Sequence, residues 1–379
     1  MKSPTHFGHS TQRVNRLYNE DKFSACVLDI YDNNNELHKV FNFNIFDGHG
    51  GDQCSTFLTT HLSTHIEDYK PDEAEPLLKQ YASSVGGYWR RWYKSRKENI
   101  KKLTKSGIID DLSNVPINEF DLKPRLTFAF LAADFEFMQQ DDNKSGSTCT
   151  SALINTIFSK SDRETFYYDA ETINLLTIAH VGDTKAILVD RTGLAHSLTV
   201  PHHPSNPREA ARLRKYATNF MTDSFGEERF ISLANTRAFG DINFKEQGVS
   251  AEPEITQLVI GDASIIKQEL TPDEIAKYTI AGTGGDESFL VLCSDGVTGI
   301  LTDQEIADII MTTYNNKGHG TPQQGADEVL KFVEYVGGDD NATILVIRLN
   351  GWGKWPLEDR TGELRSARLD DFNPRASRG

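Results

Sequence analysis

The chain has 379 residues, of which 38% are hydrophobic, which is enough apolar material for one large core or two smaller ones. A formal net charge of −15 argues against general nucleic-acid binding, because phosphate backbones are held mainly by an excess of Lys and Arg. No apolar run is long enough to cross a bilayer, and no secretory signal precedes the first elements, so an intracellular protein is expected. The four cysteines lack metal-ligand spacing and are expected to be buried thiols in a reducing compartment.

The first half of the sequence predicts a hairpin followed by helices. Two β-rich runs are separated by a turn composition, and Asp47 stands at the end of the second run. Farther along, residues such as Phe57, Leu62 and Ile66 recur at helical spacing. The predicted elements are strands at 22–31 and 37–47 and helices at 51–69 and 128–140, with a helical insertion at about 70–125.

The second half adds strands that end in acidic residues and helices with clear start signals. The continuous apolar run before Asp295 is typical of a buried strand that delivers a side chain at its end. Thr302 and Glu305 form a capping-box pattern at the start of a helix. The predicted strands are 148–158, 173–183, 185–193, 288–296 and 342–349, and the predicted helices are 207–216, 302–314 and 322–336. Strand pairs flanked by helices favour a layered α/β sandwich over a doubly wound parallel sheet.

Acidic residues beside glycines or at strand ends are distributed along the whole chain. Carboxylates this far apart in sequence act together only if folding gathers them, and gathered carboxylates repel unless cations neutralise them. They therefore indicate a metal site of oxygen ligands. The alternative is that they are ordinary turn residues or exposed loop residues, since Asp-Gly and Asp-Asn are common turn formers. The residues are Glu20, Asp21, Asp47, Asp183, Asp295 and Asp340.

In their order these motifs resemble the metal-dependent protein serine/threonine phosphatases of type 2C. A single DGHGG motif would be weak evidence for this resemblance. Seven motifs in the family's order are specific evidence, and they extend from residue 16 to residue 347. The matching segments are RLYNED (16–21), FDGHGG (46–51), SGSTCTSALI (145–154), AHVGDTKAIL (179–188), LANTRAFGD (233–241), VLCSDG (291–296) and DDNATILVI (339–347).

The resemblance implies two packed, mainly antiparallel β-sheets flanked by helices on both sides, an αββα sandwich. It implies a catalytic domain at 10–350, with the insertion at about 70–125. The polar composition after Asn350, interrupted by Gly and Pro, predicts a C-terminal tail at 351–379 that wraps the surface or is mobile. The resemblance also implies two Mg²⁺ or Mn²⁺ ions in one active site. The matching motifs imply that Asp47 bridges both ions and that the Gly48 carbonyl binds one of them. Asp295 and Asp340 would complete the coordination of one ion. Glu20 would bind the other ion mostly through water molecules, which Asp21 would orient.

The implied reaction is hydrolysis of phosphoserine and phosphothreonine in proteins, without a phosphoenzyme. A water or hydroxide between the two ions attacks phosphorus, and Arg16 binds the phosphate oxygens with its guanidinium fork. His49 matches the family's general acid for the leaving oxygen. The plainer interpretations are a surface arginine for Arg16, with Arg13 close enough to be confused with it, and a turn-structuring histidine for His49.

The sequence departs from the family pattern at Gly299, where many members have a second acid that binds a third ion together with the Asp matching Asp183. A third ion is therefore expected to be weak or absent. The insertion carries eight basic residues and one acid at 89–105, which favours either a docking surface or a solvated helix whose aromatics pack on the core. His202 and His203 align with a flap beside the cleft and are expected to be surface loop residues.

Two other functions stay open: a pseudophosphatase or scaffold that binds phosphoproteins with little turnover, and a hydrolase of small phosphate esters. The expected partners are phosphorylated proteins, with neither nucleic acid nor a membrane span, and the expected state is a monomer. An acidic chain that tolerates an insertion suits a fungal mitochondrial-type branch, so the mitochondrial matrix or the cytoplasm is the expected compartment.

Overall fold

The computed structural model describes residues 6–31, 36–106, 122–214, 220–222, 228–230 and 233–372, and the statements below concern these residues. The strands are β1 Phe7–Gln12, β2 Lys22–Tyr31, β3 Leu37–Phe46, β4 Gly48–His49, β5 Gly146–Ser147, β6 Cys149–Ser159, β7 Thr172–Val181, β8 Lys185–Val189, β9 Ala195–Ser197, β10 Phe220–Thr222, β11 Glu228–Phe230, β12 Phe239–Gly240, β13 Glu254–Gly261, β14 Phe289–Cys293 and β15 Ala342–Arg348. The helices are α1 Gln53–Glu67, α2 Pro71–Val85, α3 Gly87–Ser106, α4 Leu122–Phe137, α5 Pro207–Arg214, α6 Ile242–Lys245, α7 Ala263–Glu269, α8 Pro272–Tyr278, α9 Asp295–Thr298, α10 Asp303–Asn316, α11 Pro322–Tyr335 and α12 Gly362–Asp371, with a 3₁₀ turn at Ile280–Gly282.

Two five-stranded antiparallel sheets form the centre of the molecule. One has the strand order β1-β15-β14-β8-β9, and the other has the order β13-β7-β6-β3-β2. Side chains alternate between the two faces of a strand, so Leu290 and Leu292 of β14 enter the layer between the sheets, whereas Phe289 and Val291 face the helices. Burial on both faces explains why this strand reads as a continuous apolar run.

Helices cover the outer face of each sheet. Helix α1 packs directly on the sheet that contains β2 and β3, with α2, α3 and α4 in the same buried layer, and α10 and α11 cover the sheet that contains β14 and β15. The order of layers is therefore helix, sheet, sheet, helix, which confirms the predicted αββα sandwich. No helix in the described ranges combines the length and apolar content needed to cross a membrane.

The insertion forms α2 and α3, and residues 107–121 lie outside the described part of the chain. Trp89 and Trp92 of α3 are buried, and their indole N–H groups donate to Val249 O (3.3 Å) and Glu252 Oε2 (2.8 Å). These two aromatics therefore pack on the core, which favours the plainer interpretation of this helix. The next helix, α4, begins at Leu122 and not near Phe128, because Leu122 and Leu126 extend its buried stripe.

The segment after Asn350 was expected to be a polar tail, yet it begins with two buried tryptophans, Trp352 and Trp355. Both contact the ring of Phe289 at 5.6 Å between centroids. Helix α12 follows, and Asp308 of α10 holds its start by accepting from Thr361 N at 2.8 Å. Residues 351–372 thus pack against the α10–α11 layer, and residues 373–379 lie outside the described residues.

Candidate active site

One end of the sandwich carries a cleft of about 520 Å³. The antiparallel register brings several strand ends to this end of the molecule, because Lys22 lies opposite Phe46 and Cys293 lies opposite Ile344. Each of the acidic motifs directly follows or precedes such a strand end. Eight of the nine residues singled out in the sequence line the cleft: Arg16, Glu20, Asp47, Gly48, His49, Asp183, Asp295 and Asp340. The ninth residue, Asp21, is not in the described lining of the cleft, because its side chain is buried, with 3% of its surface exposed.

Three aspartates approach one another closely in the cleft. One carboxylate oxygen each from Asp47, Asp183 and Asp295 lies within 4.8 Å of the others. Burial and the neighbouring carboxylates, first Asp183 and then Asp340, raise the pKa of Asp295 to about 7. Burial, with the charges of Asp21 and Asp295, raises the pKa of Asp47 well above its usual range. Protons or cations are therefore required to neutralise this group.

Asp21 is a buried carboxylate whose hydrogen bonds connect it to the strand ends beside the cleft. Its Oδ2 accepts from Ser294 Oγ at 2.7 Å, and Ser294 Oγ in turn accepts from Thr343 N at 2.9 Å. The buried Oδ1 has no hydrogen-bond partner among the described residues, and burial raises the pKa of Asp21 to about 6. A buried carboxylate oxygen without a donor is what a bound ion, or a water on that ion, satisfies. The residues present thus fit a metal centre with oxygen ligands.

The loop that carries Glu20 is tied to the strand ends by Asn341, which the sequence interpretation missed. Asn341 Oδ1 accepts from Glu20 N at 2.8 Å, and its Nδ2 donates to Tyr18 O at 2.9 Å. Glu20 Oε1 accepts from Gly51 N at 2.9 Å, so this carboxylate is held beside the DGHGG turn. The signal that could have found Asn341 is its position directly after Asp340 in GGDDN.

Gly48 lies where the Glu20 loop and the start of α1 pack closely against the DGHGG turn. A Cβ atom added there would lie 2.6 Å from Glu20 O and 2.8 Å from Ser55 Oγ, so a larger residue would push the Glu20 loop away.

Arg16 is on the rim of the cleft, with 58% of its side chain exposed. Its Nη2 donates to Asp340 Oδ2 at 2.7 Å, and this hydrogen bond raises the pKa of Arg16. Arg13, by contrast, donates to Arg16 O at 3.0 Å and is not part of the described lining. The geometry therefore favours Arg16 over Arg13 as the cation that faces the cleft.

His49 has a buried acidic partner that the sequence did not single out. Its Nε2–H donates to Asp241 Oδ2 at 2.8 Å, and Asp241 is 7% exposed. Burial alone would lower the pKa of His49, but the hydrogen bond and charge of Asp241 outweigh it, so the pKa is raised. Asp241 has a φ of 48°, a conformation that is uncommon for residues other than glycine. It is the last residue of the motif LANTRAFGD, which was the available signal.

The expectation that His202 and His203 are both surface loop residues is wrong for His202. His202 is 1% exposed, stacks on His180 at 4.7 Å and accepts from Gly182 N at 3.0 Å, so it fixes the turn that carries Asp183. His203 is 42% exposed, and its Nε2 lies 3.1 Å from Asp183 Oδ2. Gly299 is exposed and supplies no side chain, and the described side chain paired with Asp183 is that of His203.

Comparison with known proteins agrees with this geometry. The family model described as Protein phosphatase 2C matches residues 94–265. The chain is 33% identical over 378 residues to "Protein phosphatase 2C homolog 4" of Schizosaccharomyces pombe, an alignment that covers 99% of this chain and 88% of the relative. The chain belongs to the protein phosphatase 2C family. It is also 26% identical to "Protein phosphatase 1K, mitochondrial" of Xenopus laevis, over 92% of this chain and 69% of that protein.

A solved structure of a phosphatase from Toxoplasma gondii shares the fold, with a TM-score of 0.56 and 17% identity, and the match covers 92% of this chain and 94% of that one. Membership of the protein phosphatase 2C family confirms the predicted enzyme class, a protein serine/threonine phosphatase. This family is metal-dependent, and the three clustered aspartates are a donor set that can bind a metal ion.

Proposed function

We propose that the protein hydrolyses phosphoserine and phosphothreonine in proteins with two divalent ions, Mg²⁺ or Mn²⁺, and forms no phosphoenzyme. The observation that carries the proposal is the approach of Asp47, Asp183 and Asp295 to within 4.8 Å, in a cleft that also holds an arginine and a histidine. When bound, such ions make a water molecule acidic enough to act as nucleophile and screen the charge of the phosphate. Asp47, Gly48, Glu20, Asp295 and Asp340 would hold them.

The side chains around the ions have separate tasks in this proposal. Arg16 uses one nitrogen for Asp340, and its remaining N–H groups face the phosphate oxygens, where negative charge accumulates during transfer. His49 delivers a proton to the departing serine or threonine oxygen. Because its Nε2–H donates to Asp241, Nδ1 is the ring nitrogen from which that proton leaves. Asp21 and Ser294 keep the floor of the cleft in place.

The test is release of inorganic phosphate from a phosphothreonine peptide, measured beside a nucleotide monophosphate, with Mn²⁺ and then with excess chelator. The proposal expects metal-dependent cleavage of the peptide and little cleavage of the nucleotide. Peptide binding without phosphate release would instead establish a pseudophosphatase. Equal cleavage of both substrates would establish a hydrolase of small phosphate esters, and cleavage that survives chelation would overturn the metal mechanism.

We place the protein inside the cell, in the mitochondrial matrix or the cytoplasm, and infer that it acts as a monomer. The support for the first location is the 26% identical relative whose name includes mitochondrial. The exposed basic residues of α3, such as Arg90, Arg91 and Lys94, are the proposed contact for an acidic partner. Fractionation of a tagged protein tests the compartment, and sedimentation tests the oligomeric state.

A further inference from the structure

Two large apolar side chains are exposed in the lining of the catalytic cleft. Leu17 is 83% and Tyr18 is 77% exposed, which places both among the three most exposed large hydrophobic side chains of the described residues. Single exposed apolar residues are common on protein surfaces and need no explanation. Leu17 and Tyr18 differ from such residues because they are adjacent, directly follow Arg16 and line a cleft whose other side chains are mostly polar. This position indicates a contact surface for a ligand of the cleft.

Hydrogen bonds hold the loop that presents these two side chains. Asn341 Nδ2 donates to Tyr18 O at 2.9 Å and to Arg13 O at 3.2 Å. Arg16 N donates to Arg13 O at 2.9 Å, which closes a turn immediately before Leu17. A partner that binds here meets a backbone that is already held in place, so less conformational entropy is lost on binding.

A second segment contributes the other apolar side chains of the cleft lining, Leu233 and Ala234, and is followed there by Asn235. This segment is anchored by Thr236, whose Oγ1 donates to the buried Glu209 Oε2 at 2.6 Å. The Oδ1 atom of Asn235 is buried and has no hydrogen-bond partner among the described residues. An unpaired acceptor in a cleft wall can accept from a backbone N–H group of a bound peptide.

The charges of the cleft decide which neighbouring side chains a phosphorylated segment can present. In the described lining, Arg16 and His49 are the groups that can carry positive charge, and the proposed reaction uses both of them at the phosphate. An acidic neighbour of the phosphorylated residue would therefore meet no further side-chain cation. Successive residues of an extended peptide are about 3.8 Å apart at Cα, so the neighbour lies within reach of Leu17 and Tyr18, which follow Arg16. An apolar neighbour can be covered by these two side chains.

We propose that Leu17 and Tyr18 form a specificity site for a bulky apolar residue, such as leucine or phenylalanine, directly beside the phosphorylated serine or threonine of the substrate. The inference rests on the proposed phosphatase function and adds the class of protein segment that the cleft prefers. Such a segment is favoured because its apolar side chain and the side chains of Leu17 and Tyr18 are removed from water together.

The test compares two phosphothreonine peptides that differ only beside the phosphothreonine, where one has leucine on both sides and the other has serine. With Mn²⁺, we expect kcat/KM of the wild type to be about 10-fold higher for the leucine peptide. In the double variant Leu17→Ser/Tyr18→Ser this preference should disappear. The change should be in KM rather than in kcat, because the contact lies away from the reacting atoms.

Leu357→Ser is the matched control, because Leu357 is 86% exposed but is not part of the described cleft lining. It should retain both the preference for the leucine peptide and the phosphatase activity. Tyr18→Phe should also retain the preference, since the phenyl ring keeps the apolar contact. The thermal unfolding midpoints of the variants should match that of the wild type, because exposed side chains contribute little to stability.

A binding measurement separates this inference from the proposed function. The same peptide pair is prepared with a phosphonate that cannot be hydrolysed, and dissociation constants are measured by fluorescence anisotropy with Mn²⁺. Tighter binding of the leucine peptide by the wild type, but not by the double variant, would support the specificity site. It would do so even if the parent peptides released no phosphate, a result that would contradict only the proposed function.

Equal binding of both phosphonate peptides by the wild type would overturn the specificity site, as would a preference that the double variant keeps. Tighter binding of a third peptide, with arginine beside the phosphothreonine, would also overturn it, because the carboxylates of the cleft would then set the preference.

Discussion

Buried carboxylates occur in two regions of this protein, and they are neutralised in different ways. Behind the cleft, Asp134 is fully buried and lies 2.8 Å from the equally buried Lys245 Nζ. Its oxygens also accept from Tyr81 Oη at 2.6 Å and Gly240 N at 2.8 Å. Here the chain supplies its own cation and donors. In the cleft, by contrast, the charged neighbours of the clustered aspartates are mainly other carboxylates.

A second structural cluster makes the contrast sharper. Glu209 is buried between Arg212 and Arg237, with oxygen to nitrogen distances of 2.8 and 2.7 Å. Burial opposes ionisation of Glu209, but the two arginines outweigh it and hold its pKa well below its usual range. In the cleft, burial and like charges act together, and the pKa of Asp295 rises to about 7. The cleft therefore suits cations that come from solution, because the described residues supply few positive charges of their own there.

Asp47→Asn tests this contrast most strongly. The substitution removes a carboxylate that would hold the ions, and we expect kcat/KM for a phosphothreonine peptide to fall by about 10³-fold or more. In chelator, the same variant should unfold at a higher temperature than the wild type, because one of the repelling charges is gone. Full activity in this variant, or a lower stability than the wild type without metal, would contradict a cation-binding role for the clustered aspartates.

Lys245→Met tests the opposite region. It leaves Asp134 buried without its cation, and we expect a loss of about 3–5 kcal/mol in the free energy of unfolding, measured with urea at saturating Mn²⁺. The control is Lys331→Met, because Lys331 is 74% exposed and pairs with Glu328 at 3.4 Å. That surface pair should contribute only about 0–1 kcal/mol. Equal effects of the two substitutions would show that burial does not set the importance of these charges.

Asp241→Asn tests a carboxylate at the border of the two regions, which is neutralised by a histidine. We expect a decrease of about 10–100-fold in kcat for a phosphothreonine peptide, because His49 loses the charge that orients it. The loss should be smaller for an aryl phosphate whose leaving group needs no proton. In a His49→Gln background, Asp241→Asn should add little. A full additional loss there would assign Asp241 a role independent of His49.

Glu287 represents a third case, a buried carboxyl with neither a protein cation nor a metal ligand role. Burial raises its pKa to about 8, and Asp286 and Asp190 add to the shift. Because the folded pKa lies above the unfolded value near 4.5, the neutral form stabilises the fold below that value, and the contribution is lost as pH rises toward 8. Glu287→Gln should therefore gain more than about 1 kcal/mol relative to the wild type between pH 5 and pH 8. Parallel pH profiles from urea unfolding would contradict this.

Among these substitutions, Asp183→Asn is expected to have the smallest effect, and the quantity measured is the activity as a function of Mn²⁺ concentration. With Gly299 in place of an acid and His203 close to Asp183, the activity of the wild type should saturate with Mn²⁺ in a single phase. The variant should retain that single phase. A second saturating phase in the wild type that Asp183→Asn abolishes would contradict the expected weakness of a third ion.

Local patterns were sufficient to predict much of the fold. The capping box of Thr302 and Glu305 is present at the start of α10, and the β2–β3 hairpin ends at Phe46, directly before Asp47 and one residue earlier than expected. Elements with weaker local patterns were missed, among them β1, which adds to a sheet edge beside β15. A strand of this kind depends on its partner for stability, and that partner is more than 300 residues away in the chain.

The chemical groups of the site could be read from local sequence: acids at strand ends, the glycine that allows close approach at position 48, and the order of motifs that places the chain in its family. Which of these groups meet depends on the folded chain. It paired His49 with Asp241, tied the Glu20 loop to Asn341 and buried His202. The physical reason is that the composition of a strand end is local, whereas hydrogen bonds between distant loops depend on the register and stacking of two complete sheets.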